Sequence, residues 1–212
     1  MRIVKPSFKI HGDIDGDAIL KHIEACGRIC YKSECSITPD SARKFVASIL
    51  ASGHESVIEH TSISCTVVCD RGVSHEIVRH RIASYSQEST RYCNYAKDKF
   101  GNELTFVEPC FWPGTLETGM PPNSLRDRWF MAMRRAEESY LELLAHGATP
   151  QEARSVLPNS LKTEIVMTMN LREWRHFFRL RTSPKAHPQM VEIASAMLAE
   201  FRRLVPVIFD TL

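Results

Sequence analysis

Residues 79–92 read RHRIASYSQESTRY and contain three arginines, one histidine, four Ser or Thr hydroxyls, two tyrosines and one carboxylate. This many cations and hydroxyls do not suit a buried core, and their spacing lacks the regularity of a salt-bridged surface helix. A turn rich in Ser and Thr offers hydroxyl and backbone N–H groups to a phosphate, and arginine can close on the anion with two parallel hydrogen bonds. The stretch therefore predicts an anion-binding segment, although a solvated helix face and a polar turn explain it equally well on its own.

The preceding residues, 71–82, are predicted to form a helix that runs into this segment. Val73 and Ile77 lie on its apolar face. Its opposite face carries four polar side chains, His75, Glu76, Arg79 and His80. We expect the helix to open into a hydroxyl-rich loop over residues 83–90.

A second cationic cluster lies on a helix predicted over residues 171–181, which Asn170 caps with Glu173 in capping-box position. Its polar residues are Arg172, Arg175, His176, Arg179 and Arg181. Four arginines in the ten residues from 172 to 181 exceed what the helix dipole favours at a C-terminus. The whole chain holds eighteen arginines against nine lysines, a surplus that indicates shaped recognition of anions.

The segment GHESVIEH at residues 53–60 groups His54, Ser56, Glu59 and His60 before a predicted strand. These residue types can ligate a metal, but a His-x5-His spacing is not a standard ligand pattern, so no metal is predicted. Arg154 adds one more cation within EARSVLPNS.

The remaining chain reads as a mixture of helices and strands with more helix than strand. Alternating runs predict strands at 61–70 and 161–170. Helices are predicted over 17–33, 38–52 with Thr38 as N-cap, 124–147, from 149 onward and over 188–204. Residues 108–123 are rich in Pro and Gly and predict a long loop, a candidate lid. We expect an α+β fold, with a mixed sheet flanked by helices, as one domain over residues 1–212.

Composition narrows the class of protein. With a net charge of +2, the chain does not stand out as a nucleic-acid or membrane binder. Seven cysteines without a C-x-x-C pair favour buried, reduced thiols over disulfides or a zinc ribbon. The first residues lack an apolar signal core and no 18-residue apolar run occurs, so a cytoplasmic protein is expected.

Several enzyme motifs are absent. The sequence contains no G-x-G-x-x-G after a strand, no P-loop and no G-x-S-x-G. Ser89 is a poor nucleophile candidate, because its charged neighbours in the sequence are arginines, which cannot accept a proton, and a single glutamate. Cys110 lacks a neighbouring histidine, which disfavours a thiol mechanism.

The motif R-H-R-x7-S, formed by Arg79, His80, Arg81 and Ser89, resembles the signature of the flavin-dependent thymidylate synthases. GHESVIEH, SYSQESTRY, ARSVLP at 153–158 and LRTS at 180–183 are similar to further blocks of that family. The blocks occur in the family's order across roughly residues 50–195. Together they are much more specific than the R-H-R motif alone.

The resemblance implies that FAD binds between the subunits of a homotetramer without a Rossmann motif. Flavin-contacting positions on one subunit would be Ser56, Glu59, Arg79, His80, Arg81 and Gln87. A second subunit would supply Asn170, Arg172 and His176.

The resemblance also implies a dUMP site. Its residues would be Glu76, Arg79, Gln87, Glu88, Ser89, Thr90 and Arg91, with Arg154 and Arg181 from a neighbouring subunit. Arg181 would polarise the pyrimidine. Three positions depart from the family's pattern, namely Glu76 in place of Gln, Gln87 in place of Glu and His176 in place of Asn.

The implied reaction converts dUMP to dTMP, with methylenetetrahydrofolate as carbon donor, NADPH as reductant and FAD as hydride carrier. Two alternatives remain open from the residues alone. One is a non-catalytic RNA- or nucleotide-binding module, which would need aromatic side chains exposed beside the arginines. Trp174 and Phe178 have core-facing spacing instead. The other is a thymidylate synthase that uses a cysteine nucleophile.

Overall fold

The computed structural model describes residues 1–112 and 124–212. Its strands are β1 (Arg2–Val4), β2 (Ser7–Ile10), β3 (Ser62–Asp70), β4 (Ala83–Gln87), β5 (Thr105–Val107) and β6 (Lys162–Asn170). Its helices are α1 (Gly16–Ile29), α2 (Ser41–Ala51), α3 (Arg71–Ile77), α4 (Leu125–Ala145), α5 (Pro150–Ala153), α6 (Leu171–Arg181), α7 (Pro188–Leu204) and α8 (Pro206–Phe209). Short 3-10 turns cover Glu34–Ser36, Glu55–His60, Asp98–Phe100 and Arg154–Val156.

The strands form two sheets. β1 pairs with β5 in parallel, with Ile3 opposite Phe106. The other sheet has the strand order β2-β3-β6-β4. Along β3 the buried residues alternate from Ile63 to Cys69, as the sequence pattern predicts for a strand with one face in a core. The predicted α+β class, with sheets flanked by helices, is confirmed.

The contacts divide the chain into two compact units, each made of separate segments. The first unit contains Met1–Ser7, Val67–Val78 and Ser86–Ile165. The second contains Phe8–Thr66, Arg79–Tyr85 and Val166–Leu212. Strands β3, β4 and β6 run from one unit into the other. The prediction that residues 1–212 act as one domain stays a prediction.

The core of the first unit forms where α4 packs its buried face. Ser124 and Asp127 form a reciprocal capping box that begins the helix, and Gly147 follows its end with a positive φ of 93°. Both ends match the sequence prediction. Met133 and Tyr140 of α4 belong to a buried cluster with Tyr95, Leu104, Phe106, Ala153 and Leu161.

Aromatic rings build the core of the second unit. Trp174, Phe177 and Phe178 of α6 contact one another, and Trp174 lies 4.7 Å from Phe201 of α7 between ring centroids. The indole N–H of Trp174 donates to the carbonyl of Ile63 at 3.0 Å. Burying this face fixes the rotation of α6, so the opposite face is the one left at the surface.

Helix α2 begins at Ser41 with Asp40 as N-cap, and the predicted start at Thr38 is wrong. The Ser41 hydroxyl donates to the buried carboxylate of Glu24 at 2.7 Å. Glu24 also accepts from Arg28 of α1 at 2.8 Å. The Thr38-Pro39 pair locally favours a helix start at Thr38, but the contact between Ser41 and Glu24 of α1 outweighs this preference. Helix α2 therefore begins at the residue that contacts α1.

Two predictions around residue 80 are also wrong. Helix α3 ends at Ile77, not at residue 82, so Arg79 and His80 lie beyond the helix and do not share a face with His75. Residues 83–87 form strand β4, not a loop. Exposed and partly buried residues alternate along β4, as in a strand with one face covered. One of the partly buried positions is the polar Gln87, so the sequence lacks the apolar-polar alternation that would predict a strand.

Residues 113–123 of the predicted long loop lie outside the described residues. Within residues 1–112 and 124–212, no helix has the length and apolar character needed to cross a membrane.

Candidate functional site

One face of α6 carries the exposed polar side chains Arg172, His176 and Arg179, spaced four and three residues apart. The Asn170 side chain caps the helix by accepting from the backbone N–H of Glu173 at 2.8 Å, as the sequence predicts. The reciprocal half of a capping box is not formed, because the Glu173 carboxylate contacts His80. The spacing and the cap together direct two cations and an imidazole to the same side of the second unit.

A cavity of about 470 Å³ lies against this face, within the second unit. Its lining residues are Glu55, Glu59, Ile82, Asn170, Arg172, Glu173, His176 and Arg179. The volume is in the range of ligand-binding clefts. Its donors, two guanidiniums, an amide and an imidazole, suit a polyanionic ligand.

Carboxylates from the 3-10 turn Glu55–His60 hold the arginines of the cavity. Arg172 Nη1 donates to Glu59 Oε1 at 2.6 Å, and Arg179 Nη2 donates to Glu55 Oε1 at 2.8 Å. Burial alone would raise the pKa of the Glu55 carboxyl, but the hydrogen bonds and charges of Arg179 and Arg175 outweigh it and lower that pKa. Glu55 therefore stays ionised and orients the cations.

Arg175 has a structural role, although the sequence places it in the same cationic cluster as Arg172 and Arg179. Its side chain is 5% exposed. It donates through Nε to Glu55 at 3.2 Å and through Nη1 to the carbonyl of Ile208. Thr211 accepts a further, longer hydrogen bond at 3.4 Å. Arg175 thus ties α6 to the segment that includes α8.

Beside the cavity, His80 lies between a carboxylate and a guanidinium. Its Nδ1 is 3.2 Å from Glu173 Oε1, and its Nε2 accepts from Arg181 Nε at 3.0 Å. Burial lowers the pKa of His80 to about 4, and the charges of Arg181 and His176 act in the same direction. Burial raises the pKa of Glu173. At neutral pH the imidazole is therefore uncharged.

His80, Glu173 and His176 also place three potential metal-ligand atoms within 4.8 Å of one another. Both nitrogens of His80 are engaged, one by Glu173 and one by the Arg181 guanidinium. The Arg181 guanidinium donates into this cluster, and its positive charge opposes the binding of a metal cation there. The absence of a metal stays a prediction.

In the first unit, hydrogen bonds fix the last residue of β4 and the turn that follows it. Gln87 Nε2 donates to the hydroxyls of Ser74 at 2.9 Å and Thr163 at 3.2 Å. The carbonyl of Ser89 accepts from Tyr92 N and Cys93 N, and its hydroxyl accepts from Arg91 N at 3.3 Å. Arg91 itself is exposed. A tight turn of this kind presents hydroxyl and backbone N–H groups of the type that bind anions.

The structure distributes the predicted site residues between the two units. Four of the nine predicted flavin positions line the cavity, namely Glu59, Asn170, Arg172 and His176. His80 lies beside it, in contact with Glu173. Ser56, Arg79 and Arg81 are exposed in the second unit, whereas Gln87 belongs to the first.

The predicted dUMP positions also fall in both units. The first unit holds Glu76, Gln87, Glu88, Ser89, Thr90, Arg91 and Arg154. Arg79 and Arg181 belong to the second. Arg154 is exposed in the turn Arg154–Val156, and its role at a neighbouring subunit stays a prediction.

The resemblance places Glu59 and Arg172 on different subunits, yet in the structure they form an ion pair within one chain. One protomer therefore supplies both side chains to this cavity, and the interface position of the site stays a prediction. Sequence reasoning missed the lining residues Glu55, Ile82, Glu173 and Arg179 as site residues. The sequence feature that predicts Arg179 as a site residue is its spacing from Arg172 and His176, which places all three on one helix face.

The family model described as "Thymidylate synthase complementing protein", Thy1, matches residues 17–207. The chain belongs to the Thy1 family. The sequence prediction from the motif at residues 79–89 is thereby confirmed.

Relatives of this Thy1-family chain carry the name flavin-dependent thymidylate synthase. The protein from Pyrococcus furiosus is 37% identical over 168 residues, which cover 79% of this chain and 65% of the relative. The chain thus spans about two thirds of that relative's length. The protein from Geobacter sulfurreducens is 33% identical over 206 residues, with 91% of this chain and 84% of the relative covered.

A solved structure with the same fold is the UMP/dUMP methylase PolB from Streptomyces cacaoi, bound with 5-Br UMP. It matches with a TM-score of 0.76 and 23% identity, and the match covers 99% of this Thy1-family chain and 95% of PolB. At this identity the likeness establishes the shared fold.

Proposed function

We propose that the chain is a flavin-dependent thymidylate synthase that converts dUMP to dTMP. Methylenetetrahydrofolate would supply the carbon, NADPH the reducing equivalents and FAD the hydride, with no cysteine nucleophile. Membership of the Thy1 family supports this activity. The observation that carries it is the cavity lined by Arg172, His176 and Arg179 with the His80–Arg181 pair beside it.

The residues of the cavity fit a dinucleotide with a pyrophosphate. Arg172 is 51% exposed in its pair with Glu59, and solvent-exposed ion pairs add little stability. A phosphate oxygen can therefore replace the Glu59 carboxylate at little cost. Asn170, His176 and Arg179 would add further donors to FAD. Reduced FAD, when bound, supplies the hydride for the pyrimidine ring.

For dUMP we propose that Ser89, Thr90 and Arg91 bind the phosphate. Glu88 would position this turn, because its carboxylate already accepts from Tyr95 at 2.8 Å and from Lys162 at 3.1 Å. By the resemblance, Glu76, Gln87 and Arg79 would also contact dUMP, with Arg154 and Arg181 reaching in from a neighbouring subunit. Arg181 would polarise a pyrimidine carbonyl and stabilise the negative charge that develops on it.

The two thiols of β3 are poor candidates for a cysteine nucleophile. Burial raises the pKa of Cys65 and of Cys69 to about 12, so neither is a thiolate at neutral pH. Their burial agrees with the sequence prediction, whereas Cys30, Cys35 and Cys110 are exposed and in this respect the prediction is wrong.

The RNA-binding alternative is disfavoured by the same structure. Trp174 and Phe178 are completely buried, so they cannot stack on nucleic-acid bases. A homotetramer with FAD at its interfaces, and a cytoplasmic location, remain parts of the proposal.

Purification followed by a turnover assay tests the function. We expect a yellow protein with one FAD per chain that forms dTMP from dUMP, methylenetetrahydrofolate and NADPH. Parallel reactions with UMP would define the sugar preference. A colourless protein that gains no flavin on incubation with FAD and binds RNA with a steep salt dependence would overturn the proposal. A monomer that retains stoichiometric FAD would overturn the shared site only.

A further inference from the structure

We propose that Glu173 and His80 are positioning residues that hold the Arg181 guanidinium, an inference that rests on the proposed function of Arg181. The three side chains form a chain of two hydrogen bonds, 3.2 Å from Glu173 to His80 and 3.0 Å from His80 to Arg181. All three belong to the second unit, and His80 and Glu173 are buried. Glu173 and Arg181 lie at opposite ends of α6, so His80 connects two parts of the same helix.

The proton positions follow from the chemistry of the two end groups. Arginine Nε carries a hydrogen at any working pH and can only donate, so His80 Nε2 must present its lone pair. In a neutral imidazole the proton then resides on Nδ1, which donates to the Glu173 carboxylate. Protonated His80 would direct an N–H at the N–H of Arg181, and the chain would break.

The surroundings of His80 hold the ring in this orientation. The Tyr85 hydroxyl donates to the backbone carbonyl of His80 at 2.7 Å. The Phe177 ring packs edge to face with the imidazole at a centroid distance of 5.0 Å, and the His176 ring lies at 5.6 Å. Glu173, Arg181, His176 and Tyr85 are thus the titratable or charged groups that face His80 among the described residues.

This arrangement determines the direction of one guanidinium N–H of Arg181. A long side chain at the end of a helix can adopt many rotamers. The hydrogen bond at Nε fixes most of the rotational freedom of Arg181, which would otherwise be lost when the side chain orients for the reaction. Glu173 and His80 would therefore affect the rate of the chemical step through Arg181 without contact to the substrate.

Two variants of Glu173 test the positioning role in the FAD-loaded protein. Glu173→Ala removes the acceptor, and we expect the single-turnover rate of dUMP-dependent oxidation of the reduced enzyme to fall about tenfold, with a dUMP Kd within about twofold of wild type. Glu173→Gln keeps an acceptor oxygen and should restore most of the rate. If Glu173→Ala reacts at the wild-type rate, the positioning role is overturned. The proposed function is judged separately, because it requires that the wild-type protein forms dTMP.

A matched control is Glu24→Ala. Glu24 lies in α1, far in sequence from Glu173, and it is likewise a buried carboxylate, one that accepts a hydrogen bond from an arginine. It should lower stability while the rate per folded, FAD-loaded molecule stays unchanged. An equal loss of rate in Glu24→Ala would show that the effect of Glu173→Ala is merely structural, which counts against the positioning role.

Nitrogen-15 NMR of histidine-labelled protein gives a readout that does not depend on activity. Wild type should show His80 as the neutral Nδ1–H tautomer at pH 7, assigned by the loss of its signals in His80→Gln. In Glu173→Ala this tautomer should lose its dominance. An Nε2–H or charged His80 in wild type overturns the inference. If wild type forms no dTMP but shows the Nδ1–H tautomer, the proposed function fails while the hydrogen-bond chain stands.

Discussion

The Tyr95 hydroxyl donates to Glu88 Oε1 across 2.8 Å, and this hydrogen bond clamps the turn that carries Ser89, Thr90 and Arg91. Lys162 Nζ engages the other carboxylate oxygen at 3.1 Å. Burial raises the pKa of the Tyr95 hydroxyl, and the charge of Glu88 and the hydrogen bond to it add to the effect, so the tyrosine remains a donor. The turn proposed to bind a phosphate is therefore held from the core side by the Glu88 carboxylate.

Tyr95→Phe should lower both stability and substrate affinity. The variant leaves Glu88 without its hydroxyl donor, which we expect to cost about 1–2 kcal/mol in the free energy of unfolding by urea. A loosened turn should also weaken dUMP binding about threefold to tenfold in calorimetry. Tyr92→Phe is the matched control, since Tyr92 is 77% exposed. Equal losses in both variants would contradict the clamp.

The arginines of α6 should separate into structural and ligand-binding residues. Arg175→Ala removes a buried guanidinium that bonds Glu55 and the carbonyl of Ile208, and we expect it to lower the free energy of unfolding by about 3 kcal/mol. Arg172→Ala, at an exposed position, should leave the melting temperature nearly unchanged and reduce FAD retention. Thermal unfolding and flavin content would be measured on both variants. If the two variants changed alike in both measurements, the distinction between a structural Arg175 and a ligand-binding Arg172 would be refuted.

The stability of the fold should decrease as pH falls from about 6.5 towards 4. His80 has a pKa of about 4 in the folded chain, below the ordinary value of 6.5. The unfolded chain then takes up the proton first, so a stabilisation of roughly 3 kcal/mol is present above pH 6.5 and is lost as pH falls. Glu173, whose pKa is raised, offsets part of this loss. Urea unfolding from pH 7.5 to 4 should show a steeper decline for wild type than for His80→Gln, and parallel curves would contradict the prediction.

Cys110→Ala should retain most of the dTMP-forming activity, because the proposed hydride transfer needs no covalent thiol. Alkylation by iodoacetamide provides an independent check on the thiols. Cys30, Cys35 and Cys110 should react at pH 8, whereas the buried Cys65 and Cys69 should be protected. A folded Cys110→Ala variant that binds FAD and dUMP but forms no dTMP would refute the cysteine-free mechanism.

Arg181→Ala should impair chemistry more than folding. Losing a preorganised charged donor should lower the single-turnover rate of reduced enzyme with dUMP about a hundredfold, or about 3 kcal/mol of transition-state stabilisation. The melting temperature and the flavin content should change little, because α6 is held by its buried aromatic face. Unchanged turnover in the folded, FAD-loaded variant would remove Arg181 from the mechanism.

Several elements of the fold depend on local patterns alone. Periodic apolar residues and caps were sufficient to predict α4, α6 and α7, and strict alternation predicted β3 and β6. The family also followed from sequence, since its motif is a fixed spacing of residue types. These features depend on neighbours a few residues apart, which is the range that propensity and periodicity describe.

The contacts between polar side chains depend instead on how distant segments pack. Glu55 and Arg179, 124 positions apart, and His80 and Arg181, 101 positions apart, form hydrogen bonds that no local pattern indicates. The start of α2 at Ser41 and the end of α3 at Ile77 likewise departed from local signals. Arg175 and Arg179 look alike in sequence, but burial makes one structural and leaves the other at the cavity. Burial and pairing arise from packing between distant segments, so the role of each arginine was fixed only when the chain folded.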